Sequence, residues 1–184
     1  VAELSEDVVV PARAPARPAQ LEFAQIVRQH QARILRLALG MLRDPDAADD
    51  VAQETFLRAF RFYRSFRNDS ALFTWLYRIA VNLCIDAQRK ARLRPSAALE
   101  EAEERVDPAP GPHGIAEIRE LARHTEQALE MLSPNHKAIL LLREVEGLSY
   151  EELARVLRIP KGTVMSRLFH ARINLQRESR RLAG

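Results

Sequence analysis

The run Asp107-Pro-Ala-Pro-Gly-Pro-His-Gly114 limits what this chain can fold into. Three prolines and two glycines in eight residues remove backbone donors and leave φ too free, so neither a helix nor a strand is expected to cross it. The stretch before it, from Ser96, is rich in glutamate. Residues 96–119 therefore read as an acidic, flexible linker, and the chain divides into two parts that must each build a core. Residues 21–95 form the first and residues 120–184 the second. Residues 1–20, where Pro11, Pro15 and Pro18 recur among Ala and Arg, read as a disordered tail.

On both sides of the linker apolar residues recur at steps of three and four. In the first part Phe23, Ile26, Val27, His30, Ile34, Leu37, Ala38, Met41 and Leu42 make one such stripe. Val51, Thr55, Phe56, Ala59, Phe60 and Tyr63 make a second, and Leu76, Ile79, Ala80, Leu83 and Ala87 a third. Arg43 to Asp46 stops the first helix, and Asp46 is placed to cap the second. A polar break spans Ser65 to Ser70, and Thr74 is placed to cap the third. In the second part helical pattern resumes near Ile115. Ser133-Pro134 starts a further helix, with proline in the favoured first turn, and Gly147 stops it. Ser149-Tyr-Glu-Glu152 is a capping box, Arg158-Ile-Pro160 ends the short helix that follows, and a basic helix starts around Lys161 to Thr163. No segment alternates convincingly as a strand, and aromatics are only 6% of 184 residues, which argues against a β-sandwich. The expected fold class is all-α: two small helical domains joined by the linker, the C-terminal one a helix-turn-helix.

The net charge of +3 conceals a pattern. Residues 21–95 and 133–184 each carry +5, and residues 96–132 between them carry −6. Two basic surfaces flanking an acidic one suit a polyanion that both touch. Enzyme readings find no support. The histidines have no partner at metal-ligand spacing, Asp44 to Asp50 lacks the glycine and terminal glutamate of a calcium loop, and no phosphate loop or nucleophile motif occurs. No catalytic residue, metal or cofactor is expected. Cys84, the one cysteine, lies in an apolar helix and reads as a small core residue. With no disulfide possible within the chain, no apolar run near the roughly 18 residues of a membrane span and no apolar core at the N-terminus, a cytoplasmic setting without direct membrane insertion is expected.

Two constellations carry chemistry. In the last helix Val164, Leu168, Ala171 and Leu175 share an inward stripe. Thr163, Ser166, Phe169, His170, Ile173 and Arg177 then face outward, flanked by Arg167 and Arg172, a surface suited to base edges and phosphates in a major groove. In the first part Arg78, Asn82 and Arg89 share one helix face. Just upstream Phe62, Tyr63, Phe66, Phe73, Trp75 and Tyr77, six of the eleven aromatics, crowd beside the polar loop Arg67-Asn-Asp-Ser70. Aromatics among arginines can stack unpaired bases while guanidiniums hold phosphates.

These residues resemble a known family. Asp49-Asp-Val-Ala-Gln-Glu-Thr-Phe-Leu-Arg-Ala-Phe60 is similar to the core-polymerase-binding helix of bacterial RNA polymerase sigma factors. Phe66-Arg-Asn-Asp-Ser-Ala-Leu-Phe-Thr-Trp-Leu-Tyr-Arg-Ile-Ala-Val-Asn82 resembles the promoter-melting and −10 segment of the extracytoplasmic-function (ECF) group. Leu132-Ser-Pro134, Glu146-Gly-Leu-Ser-Tyr-Glu-Glu152 and Ile159-Pro-Lys-Gly-Thr-Val-Met-Ser-Arg167 resemble that group's −35-binding domain. The resemblance implies a sigma factor that binds core RNA polymerase at the β′ clamp and the β flap, directs it to promoters and promotes melting. Asp49, Asp50, Gln53 and Glu54 would meet the polymerase. Phe66, Arg67, Asn68, Ser70, Phe73, Trp75, Arg78 and Asn82 would meet the −10 element. Lys161, Thr163, Ser166, Arg167, Phe169, His170 and Arg172 would meet the −35 element. The resemblance also implies an anti-sigma factor as a partner. Asn68 stands where glycine is common in the family but tolerates φ > 0, and Met165 and His170 occupy positions often held by Arg or Lys. A helix-turn-helix regulator acting without polymerase would need neither the acidic face nor the aromatic loop, and a protein-only adaptor would not need the basic last helix.

Overall fold

Asp44 opens the second helix in the computed structural model, which describes residues 17–63, 69–93 and 113–183. Its side chain accepts a hydrogen bond from the Ala47 N–H at 3.1 Å, and Pro45 sits in the first turn. The cap is therefore Asp44 and not Asp46, because proline at the first helical position requires the capping residue immediately before it. The first part is built from α1 (Arg17–Leu42), α2 (Pro45–Phe62) and α3 (Asp69–Leu93), all packed on one another. Thr74 does not cap α3. It is buried within it, a full turn past a start at Asp69.

The second part holds α4 (His113–Glu130), α5 (Pro134–Leu140), α6 (Tyr150–Leu157) and α7 (Lys161–Ala183). No strand occurs among the described residues. Helix α4 begins at His113, so the last seven residues assigned to the linker, Gly114 among them, are helical. Residues 94–112, with the rest of the proline-rich run, lie outside the described residues, as do residues 1–16 of the expected tail. Ser133 caps α5 as expected, accepting from the His136 N–H. Beyond Leu140 the helix widens into a π turn, Leu141–Val145, in which the Glu146 N–H donates to the Leu141 carbonyl at 3.1 Å. Gly147 then supplies the left-handed φ of 74° that ends the helix.

The helix-turn-helix forms as its local signals require. The capping box is complete: the Ser149 N–H donates to Glu152 Oε2 at 2.7 Å, and the Glu152 N–H donates to Ser149 Oγ at 3.2 Å. Arg158 takes the turn with φ 53° and ψ 46°. A residue with a Cβ in that region costs roughly 1 kcal/mol. Arg158→Gly should therefore raise stability by about 0.5–1 kcal/mol, less glycine's greater freedom in the unfolded chain, read as a higher urea midpoint at unchanged slope.

The two parts pack against each other. Apart from Ala128, the buried apolar residues form one continuous cluster through both. At their junction the carboxylate of Glu146, with 1% of its side chain exposed, accepts from Arg33 Nε and Arg36 Nε at 2.9 Å each and from the Tyr77 hydroxyl. The Glu146 carbonyl accepts from Arg33 Nη2 at 3.0 Å. Burial pushes the Glu146 carboxyl up, but the hydrogen bonds from Arg36, Tyr77 and Arg33 outweigh it and hold the group below its ordinary value. Nearby, Lys137 Nζ and Gln88 Nε2 both donate to the Met41 carbonyl at the end of α1. The Cys84 thiol, pushed up to about 12 by burial, is core as expected.

Candidate nucleic-acid interface

The stripe Val51, Thr55, Phe56 and Ala59 buries one side of α2 and leaves Asp49, Asp50, Gln53 and Glu54 toward its solvent side. On that side they rim two different grooves. Asp49 and Gln53 rim an apolar groove of about 450 Å³ between α1 and α2, walled by Phe23, Val27, Phe56 and Phe60. Asp50 and Glu54 rim a smaller one of about 270 Å³ that faces Asp86 and Lys90 of α3. Glu54 is also tied to Arg58 at 2.6 Å. The sequence carried no signal for the groove, because its walls come from two helices.

The aromatic cluster separates on folding. Tyr63 packs edge-on against Phe23, 5.4 Å between ring centres. Tyr77 is fully buried and holds Glu146, so it cannot stack a base, contrary to the expectation for the cluster. Phe73 lies edge-on to Tyr77 at 4.4 Å, with the Arg33 guanidinium over its ring at 4.6 Å. Trp75 is half-buried. Phe66, Arg67 and Asn68 lie outside the described residues, and Ser70 is described only as the second residue of α3. Arg78 and Asn82 share one α3 face, and Asn82 is exposed. Arg78 Nη2 donates to the Arg155 carbonyl of α6 at 2.8 Å, while its Nε is buried without a hydrogen-bond partner.

In α7 the inward stripe is as expected: Val164, Leu168 and Ala171 are buried and Leu175 packs against them. The opposite face carries Ser166 and His170, both exposed, with Thr163 half-buried at its start. Two of the cations expected at the −35 element already have carboxylate partners. Lys161 pairs with Glu151, and Arg172 Nη2 pairs with Glu144 at 2.7 Å. On the side of Arg167 and His170 lies His136 of α5, whose Nδ1 is 3.2 Å from Asn174 Nδ2. Burial first, then the charges of Arg167 and His170, holds His136 below its ordinary value. Gly162 has open space where a side chain would project, so a ligand can approach the helix start closely. No group of three or more His, Cys, Asp or Glu that could hold a metal occurs among the described residues, and none of their helices is long and apolar enough to cross a membrane.

Comparison with known proteins matches one family to each part of the chain. The family described as Sigma-70 region 2 matches residues 26–94, and Sigma-70, region 4 matches residues 124–175. The chain is 38% identical to RNA polymerase sigma-H factor of Pseudomonas aeruginosa over 159 residues, 82% of each chain. It is 37% identical to ECF RNA polymerase sigma factor SigM of Mycobacterium tuberculosis over 155 residues, 84% of this chain and 76% of that one. Among solved structures it is similar to the sigma factor RpoE of Bartonella quintana, crystallised with the anti-sigma factor NepR. The TM-score is 0.64 at 25% identity, covering 85% of this chain and 96% of that one.

Proposed function

We propose a division of labour among these surfaces from the premise that this chain belongs to the ECF RNA polymerase sigma factors of the sigma-70 family. It is the subunit that binds core RNA polymerase, directs it to promoters and promotes DNA melting. The exposed side of α2 engages the polymerase clamp, with Asp49, Asp50, Gln53 and Glu54 as polar contacts. Arg78 and Asn82 of α3, with Phe66, Arg67, Asn68, Ser70, Phe73 and Trp75, hold the melted −10 strand. Helix α7 enters the −35 major groove with Lys161, Thr163, Ser166, Arg167, Phe169, His170 and Arg172. The chemistry belongs to the polymerase, and the protein works in the cytoplasm. An anti-sigma factor is a partner, as one is for the Bartonella quintana protein.

The observation that carries this reading is α7: a helix that follows the fully capped α6 and its turn, with cations flanking an outer face of hydroxyl and imidazole groups. The Arg78–Arg155 contact adds a consequence. It joins the two DNA-facing units directly, whereas elements 25 base pairs apart lie on the order of 85 Å apart along B-DNA. The 19 residues between Leu93 and His113 span at most about 65 Å, and the units' own radii make up the remainder. The units must therefore part on the promoter.

Binding measurements on both sides of the molecule test the reading. Fluorescence anisotropy on duplex and forked promoter DNA, with and without core polymerase, should show forked-template preference only with polymerase. Asp50→Ala with Gln53→Ala should weaken polymerase binding about tenfold without loss of cooperative unfolding. Equal polymerase affinity in the folded double mutant would remove α2 from the interface. On the −35 side, Arg172→Ala should lower the salt slope by about one at unchanged sequence choice. Because Glu144 competes for Arg172, Glu144→Gln should tighten promoter binding. An unchanged slope and unchanged affinity would mean that Arg172 stays with Glu144 when DNA binds.

A further inference from the structure

Three large apolar side chains stand in water on α7 at intervals of four: Met165, Phe169 and Ile173, with 54%, 61% and 44% of their surface exposed. At 100° per residue they form a slanted ridge that starts beside the buried stripe and reaches the outermost line of the helix at Ile173. The Phe169 ring meets the His170 ring edge-on, 5.5 Å between centres with the planes at 73°. Leu168 and Ala171 already seal the helix against α5 and α6, so the ridge is not needed to hold the fold. Exposed residues of this kind cost solubility, and a ridge of them asks for an occupant.

The surroundings identify it. Ser166 and His170 lie along one side of the ridge, and Arg172 and Lys161 along the other. A protein partner would have to bury the Lys161–Glu151 and Arg172–Glu144 pairs beside the ridge, whereas a DNA major groove meets cations at its phosphate walls and apolar surface on its floor. The apolar feature of that floor is the 5-methyl group of thymine. We propose that Met165, with Phe169 behind it, is a specificity-determining residue that reads a thymine methyl in the −35 element. It selects the base by apolar contact where a charged side chain would select by hydrogen bonding. The inference rests on the placement of α7 in the −35 groove.

The experiment uses the full chain assembled with core polymerase. A library of −35 duplexes first defines the preferred sequence. Each thymine is then replaced singly by deoxyuridine, which removes the methyl and keeps every hydrogen-bonding group. At one thymine the change should lower affinity about fourfold, the scale of one buried methyl group. Met165→Ala should bind the thymine duplex about fourfold more weakly and lose the deoxyuridine penalty there. Met165→Arg should move the preference at that base pair toward guanine. Arg167→Ala serves as the control for docking, since it should weaken all sequences alike. A sequence preference and a uniform Arg167→Ala loss without any deoxyuridine penalty would overturn the methyl reading and leave α7 in the groove. A penalty that persists at full size in Met165→Ala would assign the methyl to another residue. No preference across the library together with no effect of Arg167→Ala would remove α7 from the −35 element, and the inference with it. Loss of polymerase affinity by Met165→Ala with DNA binding intact would assign the ridge to a protein.

Discussion

Glu146→Ala should lower stability by about 2–3 kcal/mol, most of it arising at the junction of the two helical units. The Tyr77 hydroxyl, in a fully buried residue, would lose its acceptor, which costs roughly 1–3 kcal/mol. Arg33 and Arg36, 37% and 54% exposed in their side chains, can turn to water, so their share is discounted. The double mutant Glu146→Ala with Tyr77→Phe should be no less stable than Glu146→Ala alone, because it removes the orphaned hydroxyl as well. Strictly additive losses in urea unfolding would show that the two groups are not coupled. The pH dependence has a definite sign. A carboxyl held below its ordinary 4.5 contributes fully above that value and loses its contribution as pH falls through the lower folded value. Acid should therefore loosen the junction below about pH 4.5. Glu146→Gln should lack that step, and an identical acid profile in Glu146→Gln would place the titration elsewhere.

Leu168→Ala should cost about 2–5 kcal/mol, whereas Met165→Ala, three residues earlier on the same helix, should stay within about 0.5 kcal/mol. Leu168 is buried beneath the outer face of α7, so shortening it leaves a cavity between α7 and the helices that seat it. DNA binding should fail in Leu168→Ala near its lowered melting temperature and recover on cooling, because the contact side chains are all present. Met165→Ala should show its roughly fourfold loss at every temperature. Matching melting curves for the two variants would mean that the inward stripe has been assigned to the wrong side of the helix.

Where the determinants are local, the sequence was readable. The caps at Ser133 and Ser149, the stop at Gly147 and the turn at Arg158 each depend on a few neighbouring residues. So does the inward stripe of α7, which follows from helical period alone. The cap of α2 lies two residues before the expected Asp46 although its signal is local: Asp44 and Asp46 flank Pro45, and proline prefers to follow its cap directly. Tyr77 belonged by period to the apolar face of α3, yet proximity in sequence drew it into an aromatic cluster that folding divides. The Glu146 junction was not legible, since its partners lie 69 to 113 residues away and only packing brings them together. Of the polymerase-facing residues the sequence showed the exposed side of α2 but not the groove, whose second wall is α1.

The π turn at Leu141–Val145 stores information in a different form. An α-helix would place the Glu146 N–H over the carbonyl of Leu142, whose side chain is fully buried. The wider turn places it over Leu141, whose side chain lies against the bare Cα of Gly40 in α1. One surplus residue thus acts as a phase shift of about 100°, aiming a carboxylate at the neighbouring unit. Every point substitution preserves residue count, so an alanine scan of this segment would leave the shift untouched. A single-residue deletion would change the direction in which the chain addresses its other half.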